Sequence, residues 1–367
     1  MISRLVFYPM KNKAYLLILL LPLTFLYFYN GNDEPMKSKF TSNPDLVTVQ
    51  PDQDWKGNPL DENGRFINLY HPFTSSFADL IKWQMSKNPQ TEEKKAETRK
   101  LTVNFDSTVF QGKDDYLIWI GHATYLMRIN GKVFLTDPLL IDNTFLKREN
   151  NLPFPLEKMP KLDYILLSHN HRDHCDENTL KHLAETNPSM KILTGLGLES
   201  VIIGWTNGQT IQEAGWYQQY SLLDSGLKIT YVPSRHWSRR WLTDDNKSLW
   251  GGFYIQNGKY SIYFMGDSGK GEHFADIKNT LGSPDFCLMG VGAYKPEWFM
   301  HQAHISPKDA IEAFNILGGK FFIPMHFGTF NLSDEPRMEP WDVLVENKEK
   351  IKGKLIEPVI GRNLLVF

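Results

Sequence analysis

Leu167-Ser168-His169-Asn170-His171-Arg172-Asp173-His174-Cys175-Asp176 crowds three imidazoles and a carboxylate into six positions, in the order H-x-H-x-D-H. The run follows directly on Tyr164-Ile165-Leu166-Leu167, a short apolar segment that reads as a buried strand. A strand closing in a tight loop aims several side chains into one small volume. Divalent cations such as zinc take imidazole nitrogen and carboxylate oxygen at about 2.0–2.2 Å. A solvated loop with incidental histidines is the plainer alternative, and three further stretches count against it. Ile229-Thr230-Tyr231-Val232 runs into His236, Tyr260-Ser261-Ile262-Tyr263-Phe264-Met265 into Asp267, and Phe321-Phe322-Ile323-Pro324-Met325 into His326. Each is an apolar strand-like run with a candidate ligand just past its end, so the ligands can converge on one rim of a sheet.

This ordered set resembles the metallo-β-lactamase superfamily, whose hallmark is H-x-H-x-D-H followed by a later His, an Asp and a last His. Within it the chain is similar to the N-acylphosphatidylethanolamine-hydrolysing phospholipase D branch. The supporting stretches are Trp119-Ile120-Gly121-His122-Ala123-Thr124, Phe134-Leu135-Thr136-Asp137-Pro138, His236-Trp237-Ser238, Leu249-Trp250-Gly251, Gly292-Ala293-Tyr294 and Met325-His326-Phe327-Gly328-Thr329-Phe330. Together they span about residues 60–362. The metal motif specifies only the superfamily; the later stretches point to the branch.

The resemblance implies an αββα sandwich, two mixed β-sheets flanked by helices, with metal at one edge. It gives His169, His171 and His236 to one zinc ion and Asp173, His174 and His326 to a second, with Asp267 bridging. Seven ligands exceed one tetrahedral zinc and suit two. Such a pair would hold hydroxide at neutral pH and attack phosphorus. The implied reaction cleaves N-acylphosphatidylethanolamine to N-acylethanolamine and phosphatidic acid, with Asp267 and His304 as catalytic groups. Asp137 and His122 are expected behind the ligands, orienting them. Gln302 and His304 are expected to contact substrate, although relatives carry glutamine directly before that histidine and Ala303 stands there here. Arg172 fills a position where animal members of the branch carry tyrosine. A homodimer is also implied, but no stretch of the chain demonstrates an interface.

Composition bounds the rest. A net charge of −2 gives no reason to expect nucleic acid as a partner. Cys175 and Cys287 are the only cysteines, too few for a disulfide framework or a thiolate metal site, and read as small packing residues. Residues 14–29 are almost wholly apolar, preceded by Arg4, Lys11 and Lys13 and followed by Asp33 and Glu34. Signal peptide, anchor and buried helix all fit. The run is shorter than the roughly 20 residues of a spanning helix, and no small-x-small cleavage site is evident. An uncleaved anchor is favoured, with the catalytic domain on the periplasmic side of a membrane whose surface also supplies the phospholipid. The expected organisation is thus an anchor or signal over 1–30, a linker over 31–60 and one hydrolase domain over 61–367.

Phe77, Leu80, Ile81 and Met85 recur at helical spacing with Trp83 off the stripe. An amphipathic stripe ordinarily packs on its own domain; a helix that meets lipid is the alternative. Asn130-Gly131 signals a two-residue hairpin, Asp176 a helix cap near Glu177, and Ser306-Pro307 with Gly318-Gly319 the two ends of another helix. Trp237, Trp241, Trp250, Trp298 and Phe299 fit either an acyl groove or an ordinary core. His71, His182 and His273 read as surface or packing residues. Two rival functions remain on the same residues: a lactonase or general phosphodiesterase, and a membrane-tethered binding protein without catalysis.

Overall fold

The computed structural model describes residues 39–49, 54–142, 146–223 and 226–365. The expected anchor over 1–30 lies outside the described residues. Among the described residues, no helix is long and apolar enough to cross a membrane.

Two mixed sheets make the frame. The first has six strands in chain order: Tyr116–Gly121, Thr124–Ile129, Lys132–Thr136, Tyr164–Leu167, Lys191–Gly195 and Ile211–Ala214. Its first three strands are antiparallel and the rest join in parallel. Asn130 and Gly131 both have positive φ, +52° and +78°, as a type I′ hairpin requires, and set the Ile129–Lys132 register. The second sheet has eight strands, antiparallel from Val47–Thr48 through Gln218–Gln219, Lys228–Val232 and Gly252–Gln256 to Ser261–Phe264. It continues in parallel through Phe286–Gly290 and Phe321–Met325 to Lys354–Leu355.

Side-chain alternation decides how the sheets stack. In Tyr116–Gly121, Leu117 and Trp119 join the core shared with Tyr231, Phe253 and Phe264 of the second sheet, while Ile118 and Ile120 face the other way. That opposite face packs under Leu180 and Leu183 of the helix Glu177–Thr186. Period-two burial on both sides of a strand is what a sheet covered on both faces demands. Full burial of each such large apolar side chain contributes about 1.5–3 kcal/mol. On the second sheet's outer face, the helix Pro307–Leu317 buries Ala310, Ile311, Phe314 and Leu317. Its ends are those read from sequence: Ser306 accepts from Asp309 N, Pro307 opens the first turn, and Gly318 closes the helix at φ +70°.

Two expectations are corrected. The stretch read as a linker contributes Lys39–Thr41, paired with Asn58–Leu60, and Val47–Thr48, which edges the larger sheet. Asn58 is buried, accepting from Trp216 N and donating to Thr41 O, so the described parts of this segment, 39–49 and 54–60, belong to the folded unit. The helix Phe77–Met85 forms where its periodicity predicts, but it buries Trp83 and leaves Phe77, Ile81 and Met85 exposed.

Candidate metal centre

The strand ends that carry the motif residues meet at one edge of the sandwich. Tyr164–Leu167 delivers the loop 168–176, Lys132–Thr136 delivers Asp137, and Tyr116–Gly121 delivers His122. From the second sheet come His236 after Lys228–Val232, Asp267 after Ser261–Phe264 and His326 after Phe321–Met325. Three of these residues, His122, Asp137 and His326, hold φ of +55°, +34° and +63°. Left-handed backbone at non-glycine residues costs about 1–3 kcal/mol each and persists where surrounding structure imposes it. Gly266 supplies the turn before Asp267 at φ +64°, and a Cβ there would stand 2.5 Å from the Gly251 carbonyl oxygen.

Donor atoms of seven residues face one another in two overlapping sets. His171 Nδ1 lies 2.9 Å from His169 Nε2 and 3.1 Å from His236 Nε2. His174 Nε2 lies 3.2 Å from His326 Nε2 and 3.4 Å from Asp173 Oδ2, with His326 Nε2 to Asp173 Oδ2 at 3.6 Å. Asp267 reaches both sets. Its Oδ2 is 3.1 Å from His174 Nε2 and 3.9 Å from the Nε2 atoms of His169 and His236, and its Oδ1 is 3.2 Å from His326 Nε2. A tetrahedral cation with bonds of about 2.0–2.1 Å separates its ligands by about 3.3 Å. The donor spacings match that edge, so the residues fit divalent metal ions.

The rear atoms of these side chains show which lone pairs face inward. His236 Nδ1 donates to Ala303 O at 2.9 Å, leaving Nε2 as the acceptor that faces the cluster. His174 Nδ1 meets Asp137 Oδ2 at 2.8 Å, and His169 Nδ1 meets Ser168 Oγ at 2.9 Å. Asp137 also accepts from Ser168 N and Oγ, at 2.7 and 2.5 Å. His122 Nε2 lies 3.1 Å from Asp173 Oδ2 and orients that carboxylate. Such partners set tautomer and ring orientation at metal sites.

Electrostatics agrees with the geometry. Burial pulls His169 and His236 well below the ordinary imidazole range and His171 to about 4, so this trio stays neutral with lone pairs available. At His326 burial also pulls down, but the Asp267 and Asp173 carboxylates outweigh it and raise the group to about 9. Asp173 and Asp267 resist burial, held well below the carboxylate range chiefly by the charge of His174. Buried carboxylates here require positive charge, supplied by protons on His174 and His326 or by cations in their place.

His304 stands over the cluster, half-buried, its Nδ1 3.8 Å from Asp267 Oδ2 and its ring 5.3 Å from those of His236 and His326. Gln302 is not brought to the donors: its Oε1 accepts from Thr74 N and Oγ1 at 2.8 and 3.2 Å. The aromatic set divides. Trp250 belongs to the core, its Nε1 donating to Asn68 and Ser234; Phe299 stacks on Trp83; Trp237 flanks His171 at 4.6 Å; Trp241 and Trp298 are exposed. His273 is buried against Ser268 Oγ, and His71 is exposed beside Glu272.

Residues that sequence reasoning passed over hold the loop in place. Asn68 bonds both backbone N and O of His236, and Arg240, stacked on Trp205, donates to the carbonyls of Asn170 and Cys175 across the motif. Ser168 had a signal, since it abuts the motif; Asn68 had none.

Comparisons with known proteins extend this picture. The profile described as a beta-lactamase superfamily domain matches residues 132–327. The N-acyl-phosphatidylethanolamine-hydrolyzing phospholipase D 1 of Caenorhabditis elegans is 31% identical over 288 residues, covering 74% of this chain and 81% of that protein. A UPF0173 metal-dependent hydrolase of Thermodesulfovibrio yellowstonii is 30% identical, covering 68% of this chain and 91% of its own. Among solved structures, Igni18, a metallo hydrolase of Ignicoccus hospitalis, superposes with a TM-score of 0.52 at 21% identity, over 67% of this chain and 96% of that one. That last likeness speaks to the fold.

Proposed function

From the premise that the chain belongs to the metallo-β-lactamase superfamily, as a metal-dependent hydrolase, we propose that it is a phosphodiesterase of the phospholipase D type. Its substrate is N-acylphosphatidylethanolamine, its products N-acylethanolamine and phosphatidic acid, and its metal a pair of zinc ions. The observation that carries the reading is the likeness to the worm phospholipase over 81% of that protein's length. A bound pair of divalent cations at such a site lowers the pKa of water into the neutral range and draws charge from a phosphoryl oxygen.

The chain's own groups do the rest. His169, His171 and His236 present neutral nitrogens, and Asp173, His174 and His326 present the second set. Asp267 spans the two and fixes their separation. Asp137 and His122 lock His174 and Asp173 against rotation. His304 overlooks the donors, and burial holds it at about 4, so at neutral pH it is an uncharged imidazole with one N–H to offer. We assign its N–H as a hydrogen-bond donor to the phosphoryl or leaving ethanolamide oxygen; as the water oxygen bonds to phosphorus and the P–O bond breaks, the proton that the water gives up passes to the ethanolamide oxygen. Imidazole and carboxylate donors suit zinc.

Purified protein incubated with N-acylphosphatidylethanolamine, and separately with acyl lactones, tests the reading. Release of N-acylethanolamine and phosphatidic acid, lost on chelation and restored by zinc, is the expected result. Turnover of lactones alone would overturn it.

A further inference from the structure

The helix Phe77–Met85 turns outward the stripe that its periodicity would bury. Phe77, Ile81 and Met85 are 52%, 42% and 73% exposed, one coherent face at spacings of four. Trp83 holds the helix down instead, donating to Asp334 Oδ2 at 3.1 Å and stacking on Phe299 at 5.3 Å. Neighbouring Trp298 is 43% exposed, with Lys82 Nζ 4.6 Å above its ring.

A second apolar tip lies in the loop that follows His236, where Trp241 is 50% and Leu242 67% exposed. The two tips belong to one rim around the metal centre. Arg172, between His171 and Asp173, sets its guanidinium 5.1 Å from the Trp241 ring; the His171 ring contacts Trp237; Trp237 stacks on Phe73, four residues before the helix. Single exposed apolar residues are ordinary on a protein surface, but a cluster of six at the mouth of a site marks an interaction surface.

Charge indicates the partner. Lys82 and Lys87 stand exposed on the helix and just beyond it, and Arg172 and Arg239 lie over Trp241 and Trp237. Of the neighbouring acids, Asp79 is folded back onto Ser76, Asp244 accepts from Arg240 N and Trp241 N, and Asp245 pairs with Arg239. Glu297 remains exposed beside Trp298. Aromatic and aliphatic side chains interleaved with Lys and Arg are the composition of a helix lying in a bilayer interface, where apolar groups enter the acyl boundary and cations meet phosphates.

We propose that this rim docks on a phospholipid bilayer carrying anionic headgroups, seating the mouth of the metal centre against the headgroup layer. The inference rests on the phospholipase reading for its purpose but is measured without it.

The test uses the full chain with an environment-sensitive dye on Ile81→Cys, Leu242→Cys or, as control, Ile316→Cys. Cys175 and Cys287 are both buried, so labelling is selective, and Ile316 lies at the far end of the helix Pro307–Leu317. Vesicles are phosphatidylcholine with or without phosphatidylglycerol and contain no N-acyl lipid. With phosphatidylglycerol present, the dye at 81 and at 242 is expected to shift to the blue and the dye at 316 to stay aqueous. The readout is positional, so it does not depend on what residues 1–38 do at a membrane. Replacing the cation on the helix and the one just beyond it, Lys82→Gln with Lys87→Gln, lowers the partition coefficient onto anionic vesicles by about thirtyfold. Aqueous emission at all three positions, absence of vesicle association, or dimerisation that shifts the dyes without lipid would overturn the docking. Hydrolysis in detergent micelles would stand through any of those results, and its absence would leave the vesicle result intact.

Discussion

Asp267→Asn tests the metal centre at its junction. The Asp267 side chain is buried and, among the described residues, is the one carboxylate whose oxygens lie within 3.9 Å of donors from both sets. Asparagine preserves shape and one acceptor oxygen but removes the charge. A unit charge about 4 Å from another at an effective dielectric near 20 is worth about 4 kcal/mol. The retained amide oxygen offsets part of that, so metal affinity is expected to fall by about a hundred- to a thousandfold, with activity falling alongside. The assay is competition with a chelator of known affinity, reading metal-to-protein ratio by elemental analysis for wild type and variant. A circular dichroism melt of each metal-free protein, run in parallel, separates loss of metal from loss of fold. Folded Asp267→Asn protein that retains metal within about threefold of wild-type affinity would refute the bridging argument.

Other outcomes follow from the same geometry. Asp137→Asn replaces an acceptor of the His174 Nδ1 proton with an ambiguous amide, and metal affinity should drop by about 10–100-fold in the same competition; no change would mean His174 is held by something else. His304→Ala should lower kcat by about 10²–10⁴ while metal content is retained; undiminished kcat would remove His304 from the chemistry. Metal binding should weaken as pH falls, unequally for the two donor sets. His174 is raised well above the ordinary imidazole range and His326 to about 9 when no cation is present, so below about pH 9 a cation at their set displaces two protons and loses up to about a hundredfold in affinity per pH unit. The His169, His171, His236 set, with His171 at about 4 and the other two held by burial well below the ordinary imidazole range, should keep its affinity down to about pH 4. Identical pH slopes for both sets in calorimetric titrations would contradict the assignment.

Much of the metal centre was legible because its logic is local. His169, His171, Asp173 and His174 share one short loop, so strand ending and ligand spacing appear together in ten consecutive letters. The strands before His236, Asp267 and His326 announce themselves as short apolar runs, and parallel strands of a mixed sheet place their carboxyl ends on one edge. The supporting residues were less visible. Asn68 reaches His236 from 168 positions away, and Arg240 reaches Asn170 and Cys175 from 70 and 65. No local pattern distinguishes those two from any other polar residue of a loop. Gln302 shows the converse, a residue singled out by family pattern whose amide is engaged by Thr74.

The order of residues alone determined that strands would form, where they would stop, and which donors would stand at their ends. Backbone propensity and side-chain period are properties of neighbouring residues. Only the tertiary structure decided which way the amphipathic helix Phe77–Met85 faces, because periodicity defines a stripe but not its partner. Long-range contacts, Trp83 on Asp334 and Phe299 among them, turned the stripe to the outside. It likewise decided that residues 39–49 and 54–60 are part of the folded unit, since strand pairing needs the acceptors of a distant edge. Burial and hydrogen-bond satisfaction are summed over the whole chain, and their outcome becomes readable only once the sheets have met.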